Sequence, residues 1–275
     1  MVIYKKYGEV FRKIRIQESL PLSFFASVGI SKSNLSDFET GKKMMSFDKV
    51  VIALQAMNFS LREFEDYLND YSNCDIVDIL YKIEDAYLLE NIDKLHELYG
   101  VAKINNLPYV SLSIKILLNT ATLDNLEALI NFLYSIEVWG YKELCMFYIT
   151  MSHMSPKEVM TVLSSIKQNS PGIYSSKEYN RLLTLVLCQA CLLLSQQHYR
   201  QQSKKILDII IQHELAKTMF LKTVLLGTKG VWTFHFDNMS KGRNMIKDSL
   251  HIHELAGFSY VYAYYKKKYN RYIIL

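Results

Sequence analysis

Along almost the whole chain, apolar residues recur at three- and four-residue spacing with polar residues between them. This is the period of an amphipathic helix, in which positions i, i+3, i+4 and i+7 share a face. No stretch sustains the period-two alternation of a half-buried strand. The pattern predicts helices over 4–17, 21–28, 32–40, 46–57 and 60–70, then 75–89, 91–104, 108–119, 124–137, 141–152, 156–168, 176–195, 198–215, 218–235, 239–256 and 258–272. Ser60 and Glu63, Ser155 and Glu158, and Ser175 and Glu178 have the spacing of capping boxes, in which a hydroxyl and a carboxylate satisfy each other's helix-end amides. Pro21, Pro108 and Pro156 mark helix starts, where the missing amide costs nothing. The fold class is all-α.

The pattern divides the chain into residues 1–70 and 71–275, with the boundary expected at Tyr71-Ser72-Asn73-Cys74. In the first part Phe11, Ile14, Leu22, Phe25, Ala26, Leu35, Phe38, Val50, Val51 and Leu54 are spaced to fill a small helical core. Gly29 fits the turn before the third helix and Gly41 its left-handed stop. The order of elements is that of a helix-turn-helix DNA-binding domain. The second part carries a faint repeat. Cys191 and Gly230, Ser203 and Gly242, and Leu207 and Ile246 each lie 39 residues apart. A long apolar helix followed by a helix with a small residue inside it suggests tetratricopeptide-like pairs stacked around one core, with a concave face. The apolar run Leu182–Leu194 is too short for a membrane span and reads as a buried helix.

Composition sharpens this picture. Ten Gly and four Pro in 275 residues favour long helices, and 50% hydrophobic content with 21% charge argues against disorder. A net charge of +5 permits nucleic-acid contact without demanding it. The excess is concentrated: through Lys49 nine basic residues face five acidic ones, and Lys266, Lys267, Lys268 and Arg271 end the chain with no acid after Glu254. No signal peptide is recognised at the N-terminus, and four cysteines without a regular framework suit a reducing cytoplasm.

The candidate chemistry is recognition. On the third helix Ser31, Lys32, Ser33, Asn34, Ser36 and Asp37 are expected to face outward; Asn pairs well with an adenine edge, and Ser meets bases or phosphates. Arg12, Arg15, Lys42 and Lys43 suit phosphates, which set position rather than sequence. Glu39, beside the helix stop, is expected to support the domain from within. In the second part an extended peptide would need amides to pair its backbone and a cation for a carboxylate. Asn119, Tyr148, Asn180, Arg181, Gln189 and Trp232 are the candidates, with Asn180 and Arg181 foremost. Cys188-Gln189-Ala190-Cys191 has no second Cys or His pair nearby, and His251 and His253 diverge around a helix, so no metal site is assigned. No phosphate-binding loop, dinucleotide fingerprint or nucleophile elbow is present; no catalytic residue or cofactor is assigned, and the chain is not expected to be an enzyme.

The segment Ser31-Lys32-Ser33-Asn34-Leu35-Ser36-Asp37-Phe38-Glu39-Thr40-Gly41 resembles the recognition segment of the Rgg/GadR/MutR group of regulators. Trp139-Gly140-Tyr141-Lys142-Glu143-Leu144-Cys145-Met146-Phe147 is similar to part of their sensor domain, and the order of parts matches along nearly the whole chain. The resemblance implies a cytoplasmic homodimer that binds double-stranded DNA near promoters and is controlled by a short imported peptide held on the concave repeat face. This chain departs from the group in having Asp37 where Arg is frequent, and Tyr148-Ile149-Thr150 where a Gly-Asn pair is common. Its first cysteine is Cys74, so a disulfide between DNA domains is not implied. A repressor that needs no peptide, or a helical-repeat scaffold for protein contacts, are the alternative readings.

Overall fold

The computed structural model describes residues 3–70, 75–257 and 259–273, and the expected boundary at 71–74 lies outside them. The chain divides into two compact units, Met1–Asp78 and Ile79–Leu275. The described residues contain helices and 3-10 turns and no strand.

In the N-terminal unit, α1 (Ile3–Gln17), α2 (Lys32–Glu39), α3 (Phe47–Ala56) and α4 (Leu61–Leu68) surround one core. The Phe11 ring lies 5.9 Å from that of Phe25 and 5.6 Å from that of Phe38, tilted and edge-on, the arrangement that aromatic quadrupoles favour. Gly8 lets α1 approach the Phe38 carbonyl closely; a β-carbon there would collide with it. The element expected as a helix over 21–28 is a 3-10 turn, Leu22–Val28, closed by Gly29 at φ 78°. Ala26 and Val51, expected in the core, are not buried. The buried stripe of α3 is Val50, Ala53, Leu54 and Met57, so its neighbour Val51 is turned about 100° away.

The C-terminal unit takes in α5 (Asp75–Leu88) from Ile79 onward, and with α6 (Ile92–Ile104), α7 (Pro108–Leu117), α8 (Leu123–Tyr134), α9 (Tyr141–Thr150) and α10 (Pro156–Asn169) this precedes the long helix α11 (Asn180–Gln196). Four more follow: α12 (Arg200–Gln212), α13 (Met219–Phe236), α14 (Met239–Leu255) and α15 (Ser259–Ile273). Every residue of α11 from Leu182 to Ser195 is buried, because α9, α12, α13 and α15 pack on it from several sides. A helix enclosed this way can be apolar all round, which explains the run seen in the sequence.

The 39-residue spacing marks equivalent crossings. Where α12 crosses α11, the Cys191 thiol lies 3.6 Å from the Ser203 carbonyl. Where α14 crosses α13, Gly230 meets Gly242, and a β-carbon on Gly230 would lie 3.0 Å from the Gly242 carbonyl. The capping boxes at Ser60 and Ser155 form, and Thr122 with Asn125 makes another. The one expected at Ser175 does not. Pro171–Ser175 form a 3-10 turn that buries Ile173 and Tyr174, so Ser175 ends that turn and α11 begins only at Asn180. Among the described residues no helix is long and apolar enough to cross a membrane.

Candidate functional site

The N-terminal unit presents polar groups on the outside of α2. Ser31 caps the helix by accepting from the Asn34 amide at 3.2 Å. Lys32 and Ser33 are exposed, while Asn34, Ser36 and Asp37 are half-buried. Gly41, at φ 69°, turns the chain so that the exposed Lys42 and Lys43 follow at the end of the helix. Their backbone amides both donate to the Asp37 carbonyl, at 2.8 and 3.2 Å. Lys43 also sets its ammonium 3.7 Å from the Asp37 carboxylate, which offsets part of the acid's charge. Arg12 is exposed on α1.

Arg15, expected on the phosphates, is turned inward. Its Nε and Nη2 donate to the two oxygens of Glu39 at 2.6 and 2.8 Å, and its Nη1 donates to the Leu20 carbonyl at 2.7 Å. Glu39 is 4% exposed, so this carboxylate is buried and needs the fork to compensate its lost hydration. The pair joins α1 to α2 and sets the angle at which α2 is presented.

The C-terminal unit contains a cavity of about 490 Å³, within the range of small-ligand sites. Its walls come from the end of α5, the starts of α6 and of the α9–α10 connection, the end of α7, the middle of α11 and one face of α15. Two expected residues line it, Asn119 and Gln189. Gln189 is 2% exposed; its Nε2 donates to the Tyr272 hydroxyl at 2.7 Å, and its Oε1 has no partner. Exchanging the two amide atoms would satisfy Tyr272 equally and leave the nitrogen unpaired, so one polar amide atom remains to be paired either way.

The α15 wall consists of Tyr264, Lys267, Lys268, Arg271 and Tyr272. They follow the i, i+3, i+4, i+7, i+8 sequence of one helix face. The sequence shows them only as part of a basic end of the chain; their helical stripe was the available signal for a site. The opposite face anchors the helix. Tyr265 and Tyr269 are buried, the Tyr265 ring stacks on His253 with centroids 5.1 Å apart, and the Tyr269 hydroxyl donates to the Val224 carbonyl at 3.2 Å. The Tyr269 ring occupies a notch left by the absent side chain of Gly227.

Tyr148 is 1% exposed and lies under this wall, with the Lys268 ammonium 5.4 Å from its ring centre. The structure does not bring the other three expected residues to the cavity. Arg181 makes a fork with the buried Glu84 at 2.7 and 2.6 Å and donates to the Tyr141 hydroxyl at 2.9 Å. Burial opposes the Arg181 charge, but the Glu84 hydrogen bonds and carboxylate more than offset it and raise its pKa. Asn180 is buried at the start of α11. Trp232 faces α12, where Arg200 and Lys204 lie 6.0 and 5.8 Å from its ring centre. Burial pushes the Cys188 thiol up to about 11 and the Cys191 thiol higher still, the opposite of what a thiolate nucleophile or ligand requires.

A family model described as the C-terminal domain of the HTH-type transcriptional regulator Rgg matches residues 82–267. Over 96% of this chain and 99% of the other, the fold is similar to that of the SHP pheromone receptor Rgg2 from Streptococcus dysgalactiae, with 21% identity and a TM-score of 0.76. The PrgX/cCF10 complex is similar over 98% of this chain and 100% of its own, at 15% identity and a TM-score of 0.68. A candidate transcriptional regulator from Listeria monocytogenes EGD-e matches over 98% of both chains, at 13% identity and a TM-score of 0.79. With its C-terminal unit matched nearly from end to end, the chain belongs to the family of HTH-type transcriptional regulators of the Rgg type.

Proposed function

We propose that the chain is a cytoplasmic, homodimeric regulator that binds double-stranded DNA through α2 and alters its DNA affinity when a short peptide occupies the cavity of the C-terminal unit. On this reading Asn34 reads a base edge in the major groove, and Lys32, Ser33 and Ser36 act beside it. Arg12, Lys42 and Lys43 hold phosphates. Arg15 acts only indirectly, by fixing α2. Asp37 stands close enough to Lys43 to be tolerated near the DNA backbone.

The observation that carries the peptide half is the unpaired amide atom of Gln189, buried in a helix-lined cavity of ligand size. A buried amide without a partner costs stability, and a peptide backbone supplies the missing partner. The similar Rgg2 and PrgX structures are those of a pheromone receptor and of a complex with cCF10, which agrees with this assignment. A peptide shifts the DNA response only by binding the DNA-competent and incompetent states unequally.

The test is selection of genomic DNA fragments by the purified full chain, with and without short hydrophobic peptides. Enrichment of one promoter fragment, changed by one peptide, is the expected outcome. Enrichment indifferent to every peptide would leave a repressor without a peptide ligand. No enrichment at low salt would remove the DNA assignment.

A further inference from the structure

The α15 wall of the cavity carries positive charge that the chain does not balance. Lys267 is neutralised by an ion pair with Glu90. Lys268 and Arg271 pair with no carboxylate among the described residues. The Lys268 ammonium instead sits among aromatic rings, 5.4, 5.1 and 5.6 Å from the centres of Tyr148, Tyr264 and Tyr265, and 3.1 Å from the Tyr264 hydroxyl. Rings and a hydroxyl replace only part of the hydration an ammonium loses. The α11 side of the same cavity presents Gln189, buried and with one amide atom unpaired. A group that brought a negative charge and an adjacent amide would satisfy both.

We propose that Lys268 and Arg271 form an anionic subsite that receives a carboxylate of the peptide ligand, with Gln189 pairing the amide next to it. The inference rests on the peptide reading above and narrows it: the ligand must present a carboxylate to α15, from its C-terminus or from an acidic side chain. Burial pulls Lys268 down to about 7, with Arg271 acting in the same direction, so the amine is short of counter-charge before the ligand arrives. A carboxylate restores it, in the charge-assisted geometry that makes such contacts strong. The firm seating of α15 by Tyr265 and Tyr269 gives the subsite a rigid base.

The test uses the full chain immobilised against a randomised pool of short hydrophobic peptides, made once with free C-terminal carboxylates and once amidated, with retained peptides read by mass spectrometry. Wild type is compared with Lys268→Met and with Arg271→Gln; the second changes an exposed side chain and is the more certain to fold. Retention of the free-acid pool about ten-fold or more above the amidated pool, reduced toward parity in the variants, supports the subsite. Retention that follows Asp or Glu content in either pool, and falls in the variants, supports it with a side chain as the source. Equal retention of both pools without acidic enrichment overturns the subsite and leaves the peptide reading standing. Retention of neither pool overturns both.

Discussion

In the N-terminal unit, the outward polar groups of α2 and its exit turn come from a short stretch of chain, residues 32–43. In the C-terminal unit the cavity gathers residues from Tyr87 to Tyr272. A surface built on one helix depends on the helix's own period and on one bond that sets its angle. A cavity depends on how several distant helices pack, and its decisive groups are buried where their charge and hydrogen bonds are hardest to satisfy. Each unit also spends an arginine on structure. Arg15 and Arg181 both make forks with nearly buried glutamates, but Arg15 has 11% of its side chain exposed and Arg181 41%, so solvent screens the second pair more.

The comparison predicts that the angle-setting bond of the N-terminal unit is its most sensitive point. Glu39→Ala, which strands Arg15, should cost about 3–5 kcal/mol; a melting curve of the full chain that keeps its N-terminal transition would contradict this. Gly227→Val should displace the Tyr269 ring and cost the C-terminal unit about 1–3 kcal/mol, with loss of peptide retention. An unchanged melting temperature would show that α15 is not seated as described. Asn34→Ala should cost about 1–3 kcal/mol in discrimination at one base pair and leave the melting temperature as it was, measured by binding to single-base variants of the selected site.

Smaller effects sharpen the contrast. Burial depresses the pKa of Lys268 in the folded chain to about 7, from its ordinary value of 10.5. Between those values the unfolded chain binds the extra proton, so stability should rise with pH through that window and lose this dependence below it. Allowing for solvent, the slope should stay under about 1.4 kcal/mol per pH unit. Denaturant titrations at several pH values would show it in wild type and not in Lys268→Met. Lys42→Ala should leave folding intact and lower the salt dependence of DNA binding by about one counterion; an unchanged slope would take Lys42 off the phosphates.

What was legible in the sequence follows the same division. Helix ends at Ser60, Ser155, Gly29 and Gly41 were readable because caps and stops are local chemistry. The helix-pair register was readable at Gly230 and Gly242, where only small residues fit the crossing. The partners of Arg15 and Arg181 were not legible because the glutamates that hold them lie 24 and 97 residues away. The start of α11 was missed because burial of Ile173 and Tyr174 overrode the cap at Ser175. The basic stripe of α15 had a helical period, but the cavity it faces exists only once α5, α7 and α11 are in place.

The central claim joins a DNA-reading surface to a ligand cavity in one regulator. It is tested most directly by measuring the affinity of the full chain for its selected promoter fragment as a function of salt, with and without the peptide retained by the cavity. The account predicts affinity that falls steeply with salt and a peptide-dependent shift that Arg271→Gln abolishes while affinity without peptide is kept. Affinity insensitive to salt, or a peptide effect unchanged by Arg271→Gln, would contradict it.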